Sequence, residues 1–189
     1  MGGEENRSFE ALQGSAMRAQ SALHAQSASH AQKQLRQALG RFTTGVTVIT
    51  ARAPCGGHVG LTANSFSALS LEPPLVLWSL RLASAQRAAF AHASHFAVNV
   101  LTASQRPLGD RFAQPGEDRF SGLDWQPGRG GAPVFADVLA SFECRTARTL
   151  ELGDHLLFIG EVEHFAFVDG EPLIYGCGRY AVPAALAAA

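Results

Sequence analysis

The segment Gly60-Leu61-Thr62-Ala63-Asn64-Ser65-Phe66-Ser67-Ala68-Leu69 sets two hydroxyl types and an amide among apolar residues. Side chains of this kind in an apolar run either satisfy buried backbone groups or point into a cavity and hold a polar ligand. In a strand, the period of two sends Thr62 and Asn64 to one face and Ala63 and Ser65 to the other. A heterocycle with carbonyls and ring nitrogens could use both side chains and the peptide edge. Asn64-Ser65 could equally close a bend ahead of Pro73-Pro74. Spacing leaves both open.

Other polar residues sit where strands end. Ser84 follows an apolar run and precedes an Ala-rich stretch, the position of a helix N-cap. Such a terminus offers unpaired N–H groups to a phosphate, and Arg87 in the first turn could add a bidentate contact. His155 follows the Gly153-Asp154 turn at the head of Leu156-Leu157-Phe158-Ile159, either as a ligand contact or as a surface imidazole. Arg111-Phe112 closes a helical stretch near a possible pocket rim, and Arg179-Tyr180 follows the last strand with the same two options.

Several chemistries are missing. The chain has no Walker loop, no GxGxxG after a strand, no HExxH and no GxSxG. Its 7 His are scattered, and no His has a carboxylate at metal-ligand spacing. No acid–base pair and no activated nucleophile stands out. If the chain is an enzyme, a cofactor carries the chemistry and the protein supplies position and electrostatics.

The elements that must position these residues are mostly strands. Runs at 46–50, 58–65, 75–80, 96–101, 140–149, 155–167 and 172–180 are rich in Val, Ile, Phe and Thr and are separated by Gly, Pro and Asp turns. Helices fit Leu35 to Phe42, Ala85 to His92, and Thr102 or Ser104 to Ala113. Residues 114–133 are too rich in Gly and Pro for either element. The fold class this predicts is mainly β with short helices, a closed antiparallel barrel.

Size and charge narrow the rest. At 189 residues and 47% hydrophobic, the chain can bury roughly 70% of its surface. A net charge of −1 gives no footprint for nucleic acid, and no apolar run is long enough to span a membrane. Only 16% of residues are charged, which points to a homodimer interface. Three scattered cysteines, Cys55, Cys144 and Cys177, argue against a disulfide framework and for the reducing cytoplasm. Residues 1–33, rich in Ala, Gln, Ser and His, read as a disordered or partly helical extension, 34–183 as the folded domain, and 184–189 as a disordered tail.

In order, six stretches resemble the flavin reductase-like family of FMN-binding split barrels. They are Phe42 to Thr50, Gly60 to Phe66, Leu71-Glu72-Pro73-Pro74-Leu75-Val76, Phe96 to Leu101, Gly153-Asp154-His155 through Val162, and Pro172 to Tyr175. The resemblance covers about residues 34–182. It implies a homodimeric, Greek-key-like split barrel that transfers hydride from NADH or NADPH to FMN or FAD and supplies reduced flavin to a partner monooxygenase. A flavin-binding or electron-transfer protein without turnover is the alternative.

By position, the resemblance implies that Leu61, Thr62, Ala63, Asn64 and Ser65 line the isoalloxazine ring. Ser84, Ala85, Gln86 and Arg87 would hold the phosphate, with Asn99, Arg111 and Phe112 near the flavin. His155 would lie near the nicotinamide or flavin as the catalytic residue. The chain departs from the family at the phosphate turn, where Ser84-Ala85-Gln86 replaces a Ser-Ser-Thr type of sequence. Two lost hydroxyls would cost about 1 kcal/mol each if no other donor replaced them. It departs again after Tyr175, where Gly176-Cys177-Gly178 stands in place of bulky or basic residues.

Overall fold

A computed structural model describes residues 30–54, 56–116 and 118–184. Most of the expected N-terminal extension and of the C-terminal tail lies outside these residues. The chain divides into two compact units, the first ending at Phe42 and the second beginning at Thr43. In the first, helix α1 spans residues 30–39, so Phe42 lies beyond the helix expected to contain it. The helix closes with Gly40 N–H donating to the Arg36 carbonyl at 2.9 Å.

The second unit is built from antiparallel strands. Seven of them form one sheet: β2 (Thr47–Arg52), β3 (His58–Ala63), β4 (Ser67–Leu71), β5 (Pro74–Arg81), β6 (His95–Val100), β9 (Ala140–Leu152) and β10 (His155–Phe167). Their order is β3-β2-β6-β9-β10-β5-β4. The edges, β3 and β4, are consecutive in sequence and joined only by Asn64-Ser65-Phe66. Four peptide steps reach at most about 14 Å, whereas a flat sheet would hold its outer strands about 29 Å apart. The sheet must therefore curl until its edges meet, giving a barrel with a seam between β3 and β4.

Ser65 secures that seam. The β4–β5 register runs Ser67↔Leu77, and two residues earlier Ser65 faces Ser79. There its Oγ accepts from Ser79 N–H at 3.0 Å and donates to the Ser79 carbonyl at 3.2 Å, replacing ladder bonds with a side chain. The expected strand at 58–65 therefore stops at Ala63. Strand β4 was not expected at all, because its residues are mostly exposed and show no apolar alternation.

Two apolar clusters hold the barrel. In the first, Trp78 stacks on Phe158 at 4.3 Å and meets the Phe90 and Phe96 rings edge-on. Gly160 is buried against them, since a Cβ there would run into the Phe96 ring and lie 2.9 Å from the Cys144 Cβ. In the second cluster, Val46, Val48 and Leu101 pack with Phe112 of α3 (Arg106–Ala113), Phe135 and Leu173. Strand β2 feeds both clusters, Ile49 and Ala51 the first and Val48 the second, which explains why it is buried without a break from Thr47 to Ala51.

The smaller elements complete the unit. Strand β1 (Thr44–Gly45) pairs with β11 (Ile174–Gly176), which pairs in turn with β12 (Arg179–Ala181). The expected strand 172–180 is thus a hairpin, turned at Cys177 and Gly178 with φ of 52° and 78°. Strand β7 (Trp125–Pro127), within the segment expected to be irregular, pairs with β8 (Pro133–Phe135) at its end. Helix α2 (Arg87–His92) begins two residues later than expected.

Asn99 is a correction to the expected flavin contacts. It is fully buried in β6. Its Nδ2 donates to the Val48 carbonyl at 3.1 Å and lies 3.4 Å from both Thr50 Oγ1 and the Pro133 carbonyl. Its Oδ1 accepts the Phe135 N–H at 2.9 Å. The amide fastens β8 to the sheet through edge groups that no strand pairs.

Two outcomes follow from these contacts. Asn99→Leu strands the Phe135 N–H, so urea denaturation will show a loss of about 1–3 kcal/mol. A role confined to flavin contact would leave stability unchanged. Cys144 is held protonated by burial first and then by the Glu163 and Glu143 carboxylates, its pKa pushed up to about 12. Iodoacetamide at mildly alkaline pH will therefore spare Cys144 in the native protein and alkylate it in urea, as read by peptide mass mapping.

Candidate functional site

A cavity of about 680 Å³ opens at the seam of the barrel. One wall is the end of β3 and the crossing that follows it, Leu61 to Ser65. A second is Ser79 to Arg81 at the end of β5 with the turn after it, and a third is the chain leaving α3, Ala113 to Gly116 with Arg119. His155 lies at the same end, opposite Arg81 in the β5–β10 register.

The hydroxyls of the first wall do both of the things open to them. Thr62 Oγ1 donates to the Gly109 carbonyl at 2.6 Å, tying β3 to α3, while Thr62 still lines the cavity. Gly60 allows that approach, because a Cβ there would lie 2.7 Å from the Phe112 ring. Ser65 is occupied at the seam, as described above. Asn64 is exposed at the cavity and is the uncommitted amide of this wall.

The turn between β5 and α2 is fixed by its own bonds. Leu82 N–H donates to the Asp154 carbonyl and Ser84 N–H to the Arg81 carbonyl, both at 2.9 Å. Ser84 is not the helix cap that its position suggests: the helix starts at Arg87, after Gln86. Instead Ser84 Oγ accepts the Gln86 N–H at 3.3 Å, and the Ser84 carbonyl accepts the Arg87 N–H at 3.1 Å. Among the described residues nothing accepts the Ala85 N–H, which lies at the exposed face of this turn.

Charge at the cavity comes from Arg81, Arg119 and the His155–Asp154 pair. His155 Nδ1 lies 2.7 Å from Asp154 Oδ1. That hydrogen bond, then the His155 charge, holds the Asp154 carboxyl below its ordinary range, with Arg81 adding to the effect. The bond also orients the ring, leaving Nε2 as its other polar atom. Arg119 donates to the Gln114 carbonyl at 3.1 Å and lies 5.8 Å over the Phe112 ring, and burial lowers its pKa.

Of the residues expected at a site, the cavity gathers Leu61, Thr62, Ala63, Asn64, Ser65, Ser84, Ala85, Gln86, Phe112 and His155. Three lie elsewhere. Asn99 is in the core. Arg87 is exposed on α2, outside the lining. Arg111 turns from the rim, its Nη2 donating to the Ser121 carbonyl at 2.7 Å. Sequence reasoning missed Ser79, Arg81, Gly116 and Arg119. Arg81 becomes visible only through its register with His155, and Arg119 stood in a Gly/Pro stretch without periodicity.

The cavity falls within the range of small-molecule sites, about 300–1,000 Å³. Its peptide wall, exposed amide, unpaired N–H and two guanidinium groups suit a heterocycle carrying a phosphate. No group of three His, Cys, Asp or Glu among the described residues could hold a metal ion. No helix among them is long and apolar enough to cross a membrane.

Comparison with known proteins agrees with this geometry. Residues 39–183 match the family described as Flavin reductase like domain. The chain is 47% identical over 148 residues to the FMN reductase (NADH) SmoA of Agrobacterium fabrum, covering 78% of this chain and 84% of that one. It is 41% identical over 152 residues to the reductase component of a flavin-dependent trigonelline monooxygenase from Acinetobacter baylyi, covering 80% of this chain but 49% of that longer protein. Among solved structures, the Streptomyces globisporus NADH:FAD oxidoreductase SgcE6, in complex with NAD and FAD fragments, superposes with a TM-score of 0.77 at 37% identity, covering 81% of this chain and 93% of that one. With its barrel, its seam cavity and a family match over most of its length, the chain belongs to the flavin reductase-like domain family.

Proposed function

We propose that the protein is an NADH-dependent flavin reductase that takes FMN or FAD into the seam cavity and releases the reduced flavin to a partner monooxygenase. The observation that carries this reading is the convergence, in one cavity, of the β3 peptide wall, the Ser84–Gln86 turn and His155. The relatives named as FMN reductase (NADH) and as a monooxygenase reductase component support the donor and the partner.

The flavin, when bound, supplies the hydride acceptor, so the protein needs no acid–base pair. Its residues bind and orient. The Leu61–Ser65 wall lies along the ring, with Asn64 as a side-chain partner for the polar ring edge. The Ala85 N–H, Arg81 and Arg119 favour the phosphate end. His155, fixed by Asp154, stands at the mouth where the nicotinamide enters. The main contribution of these residues would be to hold donor and acceptor together, because alignment alone removes several kcal/mol of entropic barrier. Contacts made by hydrogen bonds rather than covalent attachment suit a flavin that must leave.

The same reading takes the active form as a cytoplasmic homodimer. Leu71 on β4 is 91% exposed and Phe167 on β10 is 73% exposed, large apolar side chains of the kind a second subunit covers.

Purified protein will oxidise NADH only when FMN or FAD is added, followed by the loss of nicotinamide absorbance. Failure with both flavins, using NADH and then NADPH, would contradict the proposal. Asn64→Leu will weaken flavin binding about three- to tenfold, as expected for one hydrogen bond. Unchanged binding would remove Asn64 from the site.

A further inference from the structure

The tripeptide Asp-Arg-Phe occurs twice, as Asp110-Arg111-Phe112 near the end of α3 and as Asp118-Arg119-Phe120 beyond it. The two copies interlock. Arg111 Nη2 donates to the Ser121 carbonyl at 2.7 Å and to the Asp118 carbonyl at 3.4 Å. In return, Arg119 Nη1 donates to the Gln114 carbonyl at 3.1 Å and to the Phe112 carbonyl at 3.4 Å. The Phe112 and Phe120 rings meet edge-on at 5.1 Å.

The two arginines differ in what they face. Arg119 lines the seam cavity, held by carbonyls and by the Phe112 ring, and it has no ion pair among the described residues. Carbonyls fix a guanidinium without neutralising it, so its charge stays available to an anionic ligand. Arg111 lies outside that lining.

The turn that Arg111 grips is weak by itself. Asp118 has a φ of 51°, a left-handed conformation that a residue with a Cβ adopts at a cost. The bond that closes the turn, from Ser121 N–H to the Asp118 carbonyl, is long at 3.4 Å. One nitrogen of Arg111 reaches the first and last carbonyls of this turn, and Arg119 lies between them.

We propose that Arg111 is a positioning residue for flavin binding: by clamping the Asp118–Ser121 turn it holds Arg119 at the seam cavity. This rests on the flavin reductase reading. Arg111 then acts on the ligand only through Arg119, from a place where it touches no ligand itself.

A double-substitution cycle tests this, read by steady-state kinetics with NADH and whichever of FMN or FAD the protein reduces faster. Arg111→Met will raise the flavin KM about fivefold with kcat within about twofold, the mark of lost binding rather than lost chemistry. Arg111→Lys, which keeps a donor on a shorter stem, will raise it only about twofold. Arg119→Met will raise it about tenfold. With Arg119→Met already present, adding Arg111→Met will change KM by less than about twofold, because its target is gone. An unchanged KM in Arg111→Met or in Arg119→Met overturns the assignment. So does a fivefold rise that persists in the Arg119→Met background, or a kcat that falls as far as KM rises; each leaves the reductase reading standing. Failure of the unsubstituted protein to reduce either flavin overturns the reductase reading, and this inference with it.

Discussion

The three-residue crossing Asn64-Ser65-Phe66 is the constraint on which the rest of the structure depends. It joins strands at opposite edges of a seven-stranded sheet, and that connection is possible only if the sheet closes on itself. Closure leaves a seam, and Ser65 fastens it by bonding both backbone groups of Ser79. Everything at the candidate site lies along that seam. The β3 wall ends there, β5 delivers Arg81 and the turn after it, and α3 is drawn in by the bond between Thr62 and Gly109.

Packing and function share residues here instead of competing for them. A Ser or Thr hydroxyl that satisfies a buried carbonyl still presents its Cβ and backbone to the cavity. Thr62 and Ser65 thus stiffen the wall, and Asn64, exposed between them, stays available. Gly60 shows the same economy: it lets the Phe112 ring approach, while its N–H fixes the orientation of Gln86. The outcome is a preformed, mostly peptide-lined slot with charge at one end, suited to positioning rather than to proton transfer.

Much of this was legible in the sequence. Runs rich in Val, Ile, Phe and Thr announce β2, β5, β6, β9 and β10, and the 60–66 segment marks the wall. What could not be read depended on pairings and contacts that the local pattern of residues does not show. Strand β4 hides because its side chains are exposed and its place is set by pairing alone. The family resemblance alone places Asn99 near the flavin; its partners are Val48, Pro133 and Phe135, 34 to 51 positions away. Arg119 reaches the cavity from a Gly/Pro segment whose path no periodicity foretells. The Ser84 turn resembles a helix cap locally, yet its hydroxyl stabilises the turn itself, and the helix starts three residues on.

A crystal structure of the protein grown with FMN addresses the central claim most directly. The account predicts the isoalloxazine along Leu61–Ser65 at the seam, with its phosphate at the Ser84–Gln86 turn. Well-ordered flavin bound at any other surface, with the seam cavity left to solvent, would contradict it.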